Sequence, residues 1–473
     1  MVRTMKRPNV LLISIDTLRA DHVSCYGYER ETTPNIDRLA AAGTRFSRAY
    51  GTAVWTPPAH GSMLTGLYPS QHGVVDENRL DDSIPTVAEM LSADGYATVG
   101  IVNNSQVGEL TALHRGHQTF HEVWKGVRSR NVLERALRLA HRKYREARGL
   151  NDHGARRTTE LAKRWIEEHP SSTTPFYMFL HYIEPHNPLL APEPFRHRFT
   201  NRAGADMDRR KVDRVAENPL VCYTDAIELT REEVEFIKGL YDGEIAYIDT
   251  LVGDLIECLK RTGCFDDTLI LITADHGEHF GEHGHFSHVS SLYEPIVHVP
   301  LIVRFPDTHE RIGVQDELVQ HVDIVPTITD LTGAKPAHGE KLRGRSLVSS
   351  GSHSVGHVRV FAEWEGRVPF FVRKRLRGRD AAGVCVSMLQ PQSMVRDDRY
   401  KFILHGTGAE ELYDLEADPQ ENDDLAKSRP EIAQRMRGSL EEWKKTVELD
   451  APGATRYHID PEIKKHLESL GYM

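Results

Sequence analysis

Cysteine is scarce in this chain. Five occur in 473 residues, at Cys25, Cys222, Cys258, Cys264 and Cys385, odd in number and without CxxC spacing. That excludes a disulfide framework and a zinc knuckle, and leaves buried reduced thiols as the plain reading. Long apolar runs are missing too. The N-terminal run Val10 to Ile15 is six residues and ends in Asp16, too short for a signal-peptide core or a membrane span. The expectation is a cytoplasmic protein with no transmembrane segment. There is no strong excess of one charge: 59 Lys+Arg stand against 69 Asp+Glu, a net charge of −10, which argues against nucleic acid as a partner. Internal repeats and low-complexity tracts are absent.

What is present is ordinary for a soluble globular protein, with 39% hydrophobic and 27% charged residues. The length suits a large catalytic domain and a smaller one. Apolar strands at Asn9 to Ile15, Thr44 to Tyr50, Ala97 to Val102, Phe176 to Ile183, Thr268 to Thr273 and Val299 to Phe305 alternate with helices at Asn35 to Ala42, Ile84 to Asp94, Glu232 to Leu259 and Asp323 to Leu331. This alternation predicts an α/β fold with a large, mainly parallel central sheet flanked by helices. A polar excursion loop is expected from Asn201 to Asp225. Beyond a Gly- and Ser-rich boundary, short strands at Val358 to Trp364, Ser393 to Val395, Tyr400 to Leu404 and Glu411 to Asp414 and a helix at Glu431 to Leu449 predict a smaller α+β unit with an antiparallel sheet. The domains are placed at 1–345 and 346–473. Within the first, 128–157 reads as a basic helical insertion or lid, with Leu133, Leu137, Ala140 and Tyr144 at helical spacing. Glu134 and Glu146, interleaved among its arginines, favour a solvated helix face over an anion-binding one.

The chemistry centres on Val54 to Gly73, VWTPPAHGSMLTGLYPSQHG. Thr56 precedes Pro57 and Pro58, so it is expected in a rigid extended or turn geometry. A helix from Ala59 to Leu64 would then turn its free N–H groups toward an anion. Three strands end in polar residues, at Asp16, at Glu184-Pro185-His186 and at Asp275-His276. In open parallel sheets the ligand crevice lies outside the carboxyl ends of the strands, where these residues can converge.

In this order, the segments Pro8 to Asp16, TTPNIDRLAAAGTRF, SMLTGLYPSQHG, TADHGE, VPLIVRFP, RYKFI and LYDLEADPQENDDL resemble the sulfatase branch of the alkaline phosphatase superfamily. The resemblance covers nearly the whole chain. It implies an alkaline phosphatase-like fold and a single divalent metal held by Asp16, Asp275, His276 and Thr56, the last also the covalent nucleophile. It further implies that His186 contacts substrate or leaving group and that Asn78 contacts a nonbridging oxygen. The chain departs from the family pattern in three places. Gly100 to Asn104 stands where a GKWH segment is usual, Thr17 replaces a second aspartate, and Thr56 replaces the Cys or Ser that matures to formylglycine. Threonine carries a methyl on Cβ and cannot yield an aldehyde. A metal-activated threonine hydroxyl suits phosphoryl transfer instead.

The imidazole of His276 in the ligand set favours Zn or Mn, with Ca and Mg the other options. His60 and His288 are candidates to replace the family's cationic residues as donors to the transferring group. Glu278 reads as a supporting partner of the ligands, and His72 as structural. The expected activity is a metal-dependent hydrolase of phosphate esters, diesters included, or related sulfate esters, through a covalent Thr56 intermediate. Alternatives are a sulfuric ester hydrolase working without formylglycine, a phospho-group transferase to an alcohol, and a non-catalytic binding protein. The substrate would be a small-molecule or glycan- or lipid-linked ester.

Overall fold

The apolar runs line up edge to edge. The computed structural model describes residues 7–75, 77–126, 152–169, 174–200, 207–288, 291–307, 312–335, 342–348, 356–366, 390–447 and 455–470. Its strands in chain order are β1 (Asn9–Ile15), β2 (Thr44–Tyr50), β3 (Asn78–Arg79), β4 (Ala97–Val102), β5 (Thr119–Glu122), β6 (Phe176–Tyr182), β7 (Thr268–Thr273) and β8 (His279–Phe280). They continue with β9 (Phe286–Ser287), β10 (His298–Arg304), β11 (Gly313–Gln320), β12 (Val360–Trp364), β13 (Gln392–Arg396), β14 (Tyr400–His405), β15 (Glu410–Asp414) and β16 (Thr455–Arg456).

Eight of these form one sheet in the order β11-β2-β10-β7-β1-β6-β4-β5. Only β10 runs against its neighbours, antiparallel to β2 and to β7. The mainly parallel sheet is therefore as expected. The central strands β1, β6 and β7 are buried at every residue, because strands covered on both faces have no solvent side to mark with polar residues. Ser14 pairs in register with both His181 and Thr273. The three strands thus end level, and Asp16, Glu184 and Asp275 emerge at one edge.

The helix Arg231–Arg261 opens with a capping box between Thr230 and Glu233. It packs against the helices Pro34–Ala41 and Ala155–Glu168. Its buried Asp249 accepts from the backbone N–H groups of Asn35, at 3.0 Å, and Ile36, at 2.8 Å, and so satisfies the free donors at the start of Pro34–Ala41. The second, antiparallel sheet has the order β12-β13-β14-β15. The helix Pro430–Val447 lies on it through Ala433, Met436, Leu440, Trp443 and Val447, the three- and four-residue spacing of one helix face. Two short ladders pair β3 with β16 and β8 with β9.

The expected loop at 201–225 is in part helical: Arg209–Glu217 and Val221–Thr224 are helices. Asp208 caps the first by accepting from Arg210 N–H at 3.1 Å and Lys211 N–H at 3.3 Å, and only Val212, Val215 and Ala216 are buried in it. Three apolar residues among charges gave too weak a period to read. The helices Ala155–Glu168 and Pro461–Ser469 and the edge strand β11 were likewise not anticipated. Of the basic insertion, 128–151 lies outside the described residues, and Ala155 to Arg157 open the helix Ala155–Glu168. Among the described residues no helix is long and apolar enough to cross a membrane.

Candidate active site

Thr56 is not in a turn ahead of a helix. It is the first residue of the helix Thr56–Thr65, after Trp55 in extended geometry, and Gly66 closes the helix at φ 73°. The prolines are the reason. Residues 57 and 58 fall in the first turn, where a helix asks for no N–H and where the proline φ is already helical. The expected array of free amide donors is correspondingly reduced: positions 57 and 58 have none, and Ala59 N–H bonds Trp55 O at 3.3 Å. All ten residues of this helix are buried.

Beside it, the two aspartates are each held by one oxygen. Asp275 Oδ1 accepts from the backbone N–H groups of Thr17 at 3.1 Å and His276 at 2.9 Å. Asp16 Oδ2 faces His181 Nε2 at 3.2 Å and Asn104 Nδ2 at 3.4 Å, and both donate to it. The other oxygens, Asp16 Oδ1 and Asp275 Oδ2, are buried without a hydrogen-bond partner, and so are His276 Nε2 and Thr56 Oγ1. His276 Nδ1 stands 2.9 Å from Gly277 O. A carbonyl only accepts, so Nδ1 carries the proton and Nε2 presents a lone pair. That lone pair lies 3.3 Å from Asp275 Oδ2 and 3.9 Å from Asp16 Oδ1. The ligating atoms of Asp16, Asp275 and His276 fall within 4.8 Å of one another. Three electron-rich atoms packed together without a donor repel, and a buried cation at their centre relieves this. The donor set fits a divalent metal.

Electrostatics agree. Burial and the neighbouring Asp16 push the Asp275 carboxyl up to about 7. Burial also raises Asp16, against the pull of His186 and His276. Burial lowers the imidazoles, His276 to about 4, His186 to about 4, His181 to about 4, His60 to about 3 and His288 to about 3. All five are neutral at pH 7, and they act here as lone-pair acceptors and N–H donors rather than as cations.

The structure sorts the remaining candidates. His60 reaches the cluster but spends both ring nitrogens on the fold: Nδ1 donates to Thr56 O and Nε2 accepts from Ser14 Oγ, each at 2.9 Å. With Nδ1 also 3.6 Å from Asp275 Oδ2, it ties the helix Thr56–Thr65 to β1 and β7. His186 donates from Nδ1 to Asn187 O at 2.7 Å, which leaves Nε2 as its acceptor nitrogen. His288 pairs through Nδ1 with Glu278 Oε2 at 3.2 Å, and its ring lies 4.4 Å from that of His276 and 5.1 Å from that of His186. Asn78 stands apart. It is half-buried in the β3–β16 ladder, paired with Arg456, and among the described residues it makes no bond to the cluster. Asn104 occupies the polar place beside Asp16 instead. Sequence reasoning also passed over His181 and Ser14. Their one signal is a polar residue inside an otherwise apolar strand, and the parallel register that puts the two side by side is not written in either strand alone.

A family model described as "Sulfatase" matches residues 8–334. The chain belongs to the sulfatase family. Among curated sulfatase-family relatives, it is 26% identical to "Multifunctional alkaline phosphatase superfamily protein PehA" of Trinickia caryophylli, with 89% of this chain and 92% of the relative covered. It is 27% identical to "Arylsulfatase K" of Gallus gallus, with 92% of this chain and 82% of the relative covered. Among solved structures, the phosphonate monoester hydrolase of Agrobacterium radiobacter superposes with a TM-score of 0.71 at 22% identity, covering 96% of this chain and all of that one, 100%. That likeness establishes the shared fold. As a sulfatase-family member the chain is an enzyme, a hydrolase acting on ester bonds.

Proposed function

We propose that this sulfatase-family member is a metal-dependent hydrolase of phosphate esters, diesters included, that works through a covalent intermediate on Thr56. The observation that carries the reading is the set of bare buried atoms, Asp16 Oδ1, Thr56 Oγ1, Asp275 Oδ2 and His276 Nε2. A mixed oxygen and imidazole set favours Zn or Mn over Ca. A divalent cation held there would acidify a hydroxyl and neutralise charge on the substrate's oxygens.

The protein's own groups account for the rest. In the first half-reaction the Thr56 Oγ1–P bond forms, the bond from phosphorus to the leaving oxygen breaks, and the threonine proton ends on the leaving alcohol. In the second, water attacks phosphorus, the Oγ1–P bond breaks, and the water's proton ends on Thr56. His186 suits the proton-accepting part of this second step, being neutral with Nε2 as its acceptor nitrogen. Thr17 N–H, His181 and Asn104 keep the carboxylates turned so that one oxygen of each faces inward. PehA, named for multifunctional activity in the same superfamily, supports phosphorus chemistry.

A sulfate ester is the second reading, favoured by relatives such as "N-acetylglucosamine-6-O-sulfatase" of Bacteroides thetaiotaomicron at 23% identity. On Thr56 it would need direct attack of water at sulfur, because no aldehyde can form to expel sulfate. Aryl phosphate monoesters, phosphate diesters and sulfate esters assayed side by side, with chelator and metal add-back, decide between the two. The proposal expects chelator-sensitive turnover of a phosphate ester to exceed that of the matched sulfate ester. Preference for sulfate would overturn it.

A further inference from the structure

A cavity of about 770 Å³ lies between the eight-stranded sheet and the C-terminal sheet. None of Asp16, Thr56, Asp275 and His276 lines it. Its floor is Arg396, on β13, which is only 7% exposed. The guanidinium lies over the ring of Tyr50, 4.6 Å from its centroid, and Tyr50 in turn stacks on His298 at 5.4 Å. Its Nε is buried and has no hydrogen-bond partner. The carboxylate nearest to it among the described residues is Glu294, at 3.9 Å from Nη1 to Oε2. That oxygen already accepts from Tyr50 O–H at 2.8 Å, and the other oxygen of Glu294 accepts from Lys401 Nζ at 3.1 Å. A second cation, Arg48, lines the same cavity and stands 3.0 Å from Asp398. Burial first, and Arg48 next, hold Arg396 down to about 10. A buried guanidinium with an unpaired Nε thus lines a cavity of ligand size whose charged walls are Arg19, Arg48 and Lys238 against Asp21, Glu282 and Glu294.

We propose that this cavity binds a small organic oxyanion, seated on Arg396 and flanked by Arg48 and His298, at a site separate from the catalytic cluster. Guanidinium is the side chain best shaped for carboxylate or phosphate groups, since it offers parallel N–H donors in a plane. The half-buried His298 supplies a flat wall for the ligand's body, and the exposed Gln420 and Asn422 supply further polar groups. The shared chemistry is the oxyanion, carried on a phosphate or on a carboxylate.

The test uses selenate as a tetrahedral probe and citrate as a carboxylate probe on the full, metal-loaded chain. Crystals soaked in selenate are expected to show an anomalous peak within about 4 Å of the Arg396 guanidinium, beyond any in the catalytic cleft. Arg396→Gln should remove that peak alone and weaken citrate binding, measured by titration calorimetry, by about tenfold or more. Displacement of selenate by citrate assigns a carboxylate ligand, and retention of selenate assigns a phosphate-like one. If Arg396→Gln does not fold, Arg48→Gln, at the partly exposed rim, should still weaken both probes. A structure at saturating selenate with no peak at Arg396, together with citrate binding unchanged in either variant, overturns the site.

Discussion

Ionisable groups are packed together in two parts of this molecule, and the two parts handle them in opposite ways. Under the C-terminal sheet, Lys401 is fully buried, 2.7 Å from Glu421 Oε1 and 3.1 Å from Glu294 Oε1. Glu294 N–H donates to Glu421 Oε2 at 2.7 Å, and Tyr50 O–H closes on Glu294. One lysine here bridges two carboxylates. At the ends of β1 and β7, Asp16 and Asp275 are buried just as deeply, yet among the described residues no lysine or arginine pairs with either. Their polar neighbours hold one oxygen of each and stop. A fold that meets buried Glu421 with its own lysine at one place leaves Asp16 and Asp275 without one among the described residues at the other, and that difference separates the Lys401 cluster from the candidate cation site.

The largest effect that sharpens this contrast is expected from Thr56→Ala. It should lower kcat by about three orders of magnitude or more while the melting temperature of the metal-free protein stays near wild type, as followed by single-turnover kinetics and calorimetry. Full chelator-sensitive turnover in this variant would remove Thr56 from the chemistry. Next comes the structural side of the comparison. Lys401→Met leaves Glu421 buried without its cation, so unfolding should become easier by about 3–5 kcal/mol with little change in kcat/KM of the folded enzyme. A large loss of kcat/KM with unchanged stability would erase the distinction between the two clusters.

A smaller effect follows from pH. Burial holds Asp275 near 7 in the metal-free protein, so a cation must displace a proton to bind. Apparent metal affinity should fall about tenfold for each pH unit below 7 and level off above it. Because the folded carboxyl sits above its unfolded value, the metal-free fold binds more protons than the unfolded chain between about 4 and 7 and loses stability as pH rises through that window. Metal-loaded protein should lack this slope. A pH-independent metal affinity from 5 to 8, measured with a competing indicator, would contradict the assignment. Smallest of all, Asn78→Ala should leave kcat/KM within about threefold of wild type, as expected of a substitution away from the chemistry.

Much of this was legible in the sequence because of how the parallel sheet works. Strands buried on both faces announce themselves as apolar runs, and their first polar residue is the one that reaches the crevice, as with Asp16 and Asp275. The supporting residues were harder. His181 and Ser14 lie inside such runs, and each matters only through the register that pairs them. The edge strand β11 was missed because its first half, GVQDE, faces solvent and carries no apolar run. Thr56 was misplaced by local reasoning, since a Pro-Pro pair that forbids a helix interior is well suited to a helix start.

That last feature has a consequence for control. Amide dipoles are fixed by the covalent chain and cannot be withdrawn, whereas a bound ion can be exchanged or starved. By placing Pro57 and Pro58 in the first turn, the chain gives up two permanent donors beside Thr56 and, under the proposed mechanism, would leave the stabilisation of charge there to a replaceable ion. The rate of such an enzyme would follow the supply of metal in its surroundings, so that the two prolines make its output sensitive to the composition of the medium.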